Sequence, residues 1–276
     1  MTPVRCSNSL AQSSISKPLA LSHLRVVGFP FSRQDQNIMS LLTDFQIINL
    51  SRDVGEGKNI HGTPVMIAPF REEAVTKLQA AAQILNVPSF GITSYGYDFT
   101  IGRNFKLPRT ANDGYNVKYI DENGELKQKW INSLRTVRNL SDLFESEYDP
   151  SDDEDDLFVE FKNVQRILIP ARSFFLGATG EHFNIPRNMI GQCLGKSTLA
   201  RHATSIFVTP LEPGWSGFLT LEYVNNLDVD VWITAGQGGG QIQFFSSGDC
   251  KTSYADRKGK YQNQPAEPVT SKMFQG

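Results

Sequence analysis

Residues 205–245, SIFVTPLEPGWSGFLTLEYVNNLDVDVWITAGQGGGQIQFF, decide the fold class. Four short apolar runs, at 205–209, 218–224, 229–234 and 241–245, are set apart by Pro, Gly, Asn and Asp. Turn residues at this spacing favour strands joined by tight connections over helices. The same texture recurs upstream at 97–101, 116–120, 167–169 and 173–178. So many short strands predict a mainly β chain, folded as a barrel or sandwich with few helices. Within FLTLEYV a period of two puts Leu219, Leu221 and Tyr223 on one face, and Phe218, Thr220, Glu222 and Val224 on the other. A carboxylate beside Phe and Val is costly to bury without a partner, and Arg201 is a candidate. Pattern alone leaves Glu222 either half of a structural ion pair or a functional acid.

The rest of the chain reads differently. Residues 70–85, FREEAVTKLQAAAQIL, combine early acidic residues, Ala-rich propensity and a helical apolar stripe, which together predict a helix ended by Asn86, Val87 and Pro88. Residues 24–30 suggest a short strand, residues 37–50 carry mixed periodicity, and the Ser-rich first twenty residues lack the apolar core of a secretory signal. These features divide the chain into an N-terminal extension over 1–90 and a β-domain over 91–276. The run ESEYDPSDDEDD at 145–156 repels itself and reads as a solvated insertion in that domain; it lacks the central Gly and spacing of a calcium loop.

Composition excludes several classes. The chain has 276 residues, 39% of them hydrophobic, enough to bury a core as one large domain or two small ones. Its 27 Lys and Arg against 29 Asp and Glu leave no basic surplus to follow a nucleic acid, although a small anion needs only a local basic pocket. Cys6, Cys193 and Cys250 are too scattered for a disulfide framework or a cysteine zinc site, so a reducing, cytoplasmic setting is expected. No apolar run approaches the roughly 20 residues that span a bilayer, so no membrane partner is expected.

Familiar motifs fail on spacing. Gly191 to Ser197, GQCLGKS, has three residues where a phosphate-binding P-loop needs four. None of His23, His61, His182 and His202 opens an HxE or HExxH pattern, and no GxSxG elbow occurs. The GQGGG stretch at 236–240 lacks the strand and helix context of a dinucleotide fold and reads as a β-turn, with Gln241 at the edge of the next strand. What remains is GKSTLAR at 195–201 followed by EPGWSGFLTLE at 212–222. A cation, hydroxyls and backbone N–H groups at 195–201 suit a phosphate chain.

These segments carry a resemblance. SYGYDFTIG at 94–102 is similar to the early SYGYDxxxG strand of dCTP deaminases, a family of the trimeric dUTPase-like superfamily. GKSTLAR resembles that family's GRSSLAR, EPGWSGFLTLE its DPGWxGxxTLE, and residues 235–245 follow its PGxxIxQxxFF strand. SYADRKGKYQNQ at 253–264 looks like its Tyr-rich C-terminal lid, which places a lid near 250–276. The likeness covers about residues 92–276.

The resemblance implies a distorted β-barrel, assembled as a homotrimer with active sites between subunits. It also implies hydrolysis of dCTP to dUTP and ammonia without zinc, with Mg²⁺ entering bound to the triphosphate. By matched position Glu222 would shuttle protons between the attacking water and the ring nitrogen, and Ser197 would orient the water. Arg201 would stabilise developing charge and hold Glu222 ionised. Lys196, Thr198, Tyr254, Lys260 and Gln264 match residues that hold the triphosphate, and Gln241 a contact on the sugar or phosphate side. The backbone around Glu212, Thr220 and Leu221 would meet the cytosine edge. Three departures stand out: Lys196 replaces the usual Arg, Glu212 the usual Asp, and the loop between 201 and 212 is about two residues shorter. Two alternatives stay open, a bifunctional enzyme that also cleaves dUTP to dUMP, and a silent nucleotide-binding regulator.

Overall fold

The computed structural model describes residues 39–80, 83–111, 113–134, 136 and 157–272. The expected strand at 24–30 and the acidic run at 145–156 lie outside the described residues. The chain is mainly β, a curled antiparallel sheet of the dUTPase-like kind with a smaller sheet beside it.

In chain order the elements begin with β1 (Ser40–Leu41), α1 (Asp44–Ser51), β2 (Ile67–Ala68), β3 (Val75–Ala80) and β4 (Gln83–Thr93). They continue with β5 (Gly96–Pro108), β6 (Tyr115–Ile120), β7 (Leu126–Ile131), β8 (Phe158–Phe161), β9 (Arg166–Ile169), β10 (Phe174–Asn184) and β11 (Met189–Gly195). Next come α2 (Ser197–Ala200), β12 (Thr204–Phe207), β13 (Ser216–Asn225), β14 (Val231–Thr234) and β15 (Gly238–Ser246). The large sheet runs β1-β15-β5-β10-β13-β12, with β11 on β15, β2 on β10, β8 and β4 on β5, and β3 on β4. The small sheet runs β14-β9-β6-β7.

One long strand, β5, makes the sheet curl. β5 pairs with β4 and β15 through its first half and with β10 and β8 through its second. Register shifts at Gly238/Gly240 and Gly177/Thr179 bend the ladder where partners change. The concave side fills with alternate residues of these strands: Tyr97, Phe99, Ile101, Phe105 and Leu107 from β5, Leu219, Leu221 and Tyr223 from β13, and Ile242 and Phe244 from β15. Phe175 stacks on Tyr223 with ring centroids 5.0 Å apart. The GQGGG stretch divides in two. Gly236 takes φ +83° in the turn, whereas Gly238, Gly239 and Gly240 open β15, where a Cβ at Gly240 would lie 2.4 Å from the Phe99 ring.

The helix expected at 70–85 does not form. Residues 75–80 belong instead to β3 and residues 83–85 to β4, paired antiparallel so that Ala80 faces Gln83 and Gln79 faces Ile84. Intrinsic propensity is a weak determinant even for good helix formers such as Ala and Glu, and the pairing of β4 onto β5 outweighs it. The helix that does form nearby is α1. Its N-terminus carries a capping box in which Thr43 accepts from the Gln46 N–H and Gln46 Oε1 accepts from the Thr43 N–H at 2.9 Å. The expected boundary near residue 90 falls inside β4, so residues 40–93 contribute strands to the same sheet as the rest.

Candidate active site

Glu222 is set by the ladder. On β13 it stands opposite Leu176 of β10 on one side and Phe207 of β12 on the other. Directly opposed residues share a face, so the carboxylate is flanked by two apolar side chains. Burial pushes its pKa up to about 7. The ion pair with Arg201 does not form within the chain: Arg201 is exposed, and among the described residues no salt bridge joins them. Local geometry gives the reason. Arg201 is the C-cap of α2, a four-residue turn whose one buried side chain is Leu199, so Ser197, Thr198 and Arg201 are left on the outside.

Glu222 lines two hollows. The larger, about 870 Å³, has an apolar wall of Phe158, Phe174, Leu176 and Leu219 and a rim that includes Glu212, Thr220 and Glu222. The smaller, about 430 Å³, joins Glu222 to Cys193, Leu194 and Gly195, the last residues before Lys196. The acid therefore lies on the side of the sheet where the GKSTLAR segment begins.

The C-terminal tail closes over the larger cavity. Tyr254, Tyr261, Gln264 and Val269 line it. Gln264 forms a parallel bridge to Gly217, its carbonyl oxygen accepts from the Phe218 N–H at 3.0 Å, and its side-chain oxygen accepts from the Thr220 hydroxyl at 2.7 Å. The Val269 N–H donates back to that hydroxyl at 3.1 Å. The Trp215 indole N–H donates to the Tyr261 carbonyl at 2.8 Å, and Glu212 forms an ion pair with Arg257.

The structure thus sorts the sequence-derived residues into four groups. Glu222, Thr220, Glu212, Tyr254 and Gln264 surround one cavity. Ser197, Thr198 and Arg201 occupy an exposed turn, and Lys260 an exposed part of the tail. Lys196 and Gln241 turn to a common partner, Asp98: Lys196 makes a salt bridge to Oδ2, and the Gln241 amide donates to Oδ1 at 3.0 Å. Leu221 is fully buried on the core face and stands opposite Gly177, so only its backbone is open to a ligand role. Sequence reasoning did not single out Asp98, Trp215, Tyr261, Leu176 or Phe207. Of these, Asp98 sits inside SYGYD, Trp215 inside EPGWSG and Tyr261 inside SYADRKGKYQNQ, so all three were in view as motif letters. No group of three or more His, Cys, Asp or Glu among the described residues is placed to hold a metal ion.

With this arrangement in hand, the relatives fall into place. The profile of the dCTP deaminase-like family matches residues 65–247. The dCTP deaminase of Leptothrix cholodnii is 33% identical over 227 residues, covering 82% of this chain and 96% of that protein. Those of Acinetobacter baumannii and Cupriavidus taiwanensis are 34% and 36% identical, covering 79% and 72% of this chain and 95% and 87% of theirs. The chain belongs to the dCTP deaminase-like family. The match reaches further toward the N-terminus than the motifs do, in keeping with the pairing of β2 and β4 into the main sheet.

Proposed function

We propose that this enzyme, a deaminase acting on dCTP, replaces the exocyclic amine of the cytosine by water, yielding dUTP and ammonia, with Glu222 as the proton shuttle. The observation that carries the reading is the placement of Glu222 on a cavity wall between Leu176 and Phe207, where burial raises its pKa to about 7. A carboxylate balanced near neutrality can take a proton from water as it attacks C4 and deliver it to the ring nitrogen, then serve again as ammonia leaves.

The exposed turn supplies the other half. Ser197 orients the water and Arg201 stabilises the charge that develops on the base. In this reading they approach from a neighbouring copy, to which the exposed turn is accessible. A homotrimer with sites between subunits meets that requirement. Thr198 and the tail residues Tyr254, Lys260 and Gln264 hold the triphosphate, whose Mg²⁺ arrives coordinated by phosphate oxygens and neutralises part of their charge. In this reading the water is activated by the carboxylate and not by zinc.

Incubation with dCTP and Mg²⁺ tests the reading. Formation of dUTP and ammonia in equal amounts without pyrophosphate supports it, pyrophosphate and dUMP would establish the bifunctional enzyme, and tight binding without product the silent regulator.

A further inference from the structure

Asp98 and Lys196 form a buried charge pair in the large sheet. The side chains of Asp98 and Lys196 are 7% and 12% exposed, and they lie almost one hundred residues apart in sequence. Asp98 is the third residue of β5, between two neighbouring strands, opposite Gly91 of β4 and Gln241 of β15. A carboxylate in such a place persists only if its oxygens are satisfied. Here both are: Oδ2 meets the Lys196 ammonium and Oδ1 accepts from the Gln241 amide, which also reaches Thr93 Oγ1 at 3.5 Å. The ammonium has a second acceptor, Ser89 Oγ at 3.0 Å. Lysine's compact point charge can serve these two acceptors at once, where the planar guanidinium fork of arginine would need more room.

Lys196 is also the N-cap position of α2, and its side chain makes no capping hydrogen bond there. The turn that carries Ser197 and Arg201 is therefore held at two points. At its start a buried ion pair ties it to the sheet, and near its end Leu199 is packed in the core. Backbone hydrogen bonds from the Ala200 and Arg201 N–H groups to the carbonyls of Lys196 and Ser197, both 3.0 Å, pass that placement along the turn.

We propose that Asp98 is a positioning residue for the deamination site, acting through Lys196, whose ammonium serves as a mooring for the Ser197–Arg201 turn and not as a triphosphate ligand. The proposal rests on the deaminase reading above and adds a residue to it. Asp98 touches neither base nor phosphate in this account; it fixes the groups that do.

The experiment compares wild type, Asp98→Asn, Lys196→Gln and the double variant, each in steady-state turnover of dCTP and in amide hydrogen exchange of the free protein. Each single variant is expected to lower kcat by about tenfold or more with KM within about threefold, and the double to be no worse than the weaker single, as coupled partners require. The double variant, which leaves neither charge alone, keeps the test open if a single one fails to fold. Exchange at the Ala200 and Arg201 amides should quicken in all three variants while the thermal midpoint of the double stays near wild type. A large rise in KM for Lys196→Gln with Asp98→Asn kinetically silent would make Lys196 a direct phosphate ligand and overturn the proposal, as would unchanged exchange at Ala200 and Arg201. If wild type fails to turn over dCTP, the deaminase reading falls, and the exchange data alone decide the mooring.

Discussion

Gln264 lies against Gly217 so closely that a Cβ at position 217 would sit 2.6 Å from the Gln264 nitrogen. Gly217 also adopts φ +143°, which side-chain-bearing residues rarely take. Gly214, at φ +78°, leaves the same kind of room for Ser253, whose Cβ a methyl there would meet at 2.7 Å. The two glycines of EPGWSG are thus the track on which the tail lies.

Gly217→Ala should lift the tail, because the atom it meets is backbone and cannot step aside. Limited proteolysis within residues 253–272 is expected to speed up about tenfold, and KM for dCTP to rise. Unchanged proteolysis would mean that the tail is held elsewhere.

Thr220→Val keeps the shape of the side chain and deletes two hydrogen bonds, the one donated to Gln264 and the one accepted from Val269. At about 1 kcal/mol each, their loss should weaken dCTP binding by roughly tenfold or more. Titration of dCTP against a Glu222→Gln background, which removes turnover, would measure it.

The pH profile follows from Glu222. As a base it works only when ionised; burial raises its pKa to about 7 in the single chain and Arg201 of a neighbouring copy would draw it back down, so kcat/KM should climb with pH to a plateau with a midpoint no higher than about 7. Phe207→Gln, which replaces one apolar neighbour by an amide able to hydrogen-bond the carboxylate, should move the midpoint down. A profile that falls as pH rises through about 7 would remove Glu222 from the role.

Glu181 predicts a different pH effect, on stability. It is buried, accepts from the Thr100 N–H at 2.9 Å and the Thr100 hydroxyl at 3.0 Å, and burial raises its pKa to about 7. Because the folded value lies above the ordinary carboxylate value, the native state binds the proton more tightly than the unfolded chain. Its contribution to stability is fullest below the unfolded value near 4.5 and is lost as pH rises through about 7. Glu181→Gln should therefore melt close to wild type near pH 5 and several degrees higher near pH 8. Equal melting curves at both would contradict this.

Where strands carry their own punctuation, the sequence was sufficient. β13, β14 and β15 follow the runs between Pro, Gly and Asn, and the period of two in FLTLEYV separated Leu219, Leu221 and Tyr223 from Glu222 without saying which face is the core, which the structure shows to be that of Leu219, Leu221 and Tyr223. The antiparallel pair of β3 and β4 was hidden because its residues fit a helical stripe as well as a strand, and only its partner β5 chooses between them. The Thr43 and Gln46 capping box of α1 was legible but sits within a weakly periodic segment. In the site, Glu222, Thr220 and Gln264 were reachable through motif position, whereas the link between Asp98 and Lys196 was not. A contact across that sequence distance depends on β5 and β11 both lying against β15, which no local pattern states.

The most direct measurement of the central claim is a single-turnover reaction of Glu222→Gln with dCTP and Mg²⁺, set beside its dCTP affinity. The account predicts that binding stays within about threefold of wild type while dUTP formation drops by about 10³-fold or more. Deamination at the wild-type rate in that variant would contradict it outright.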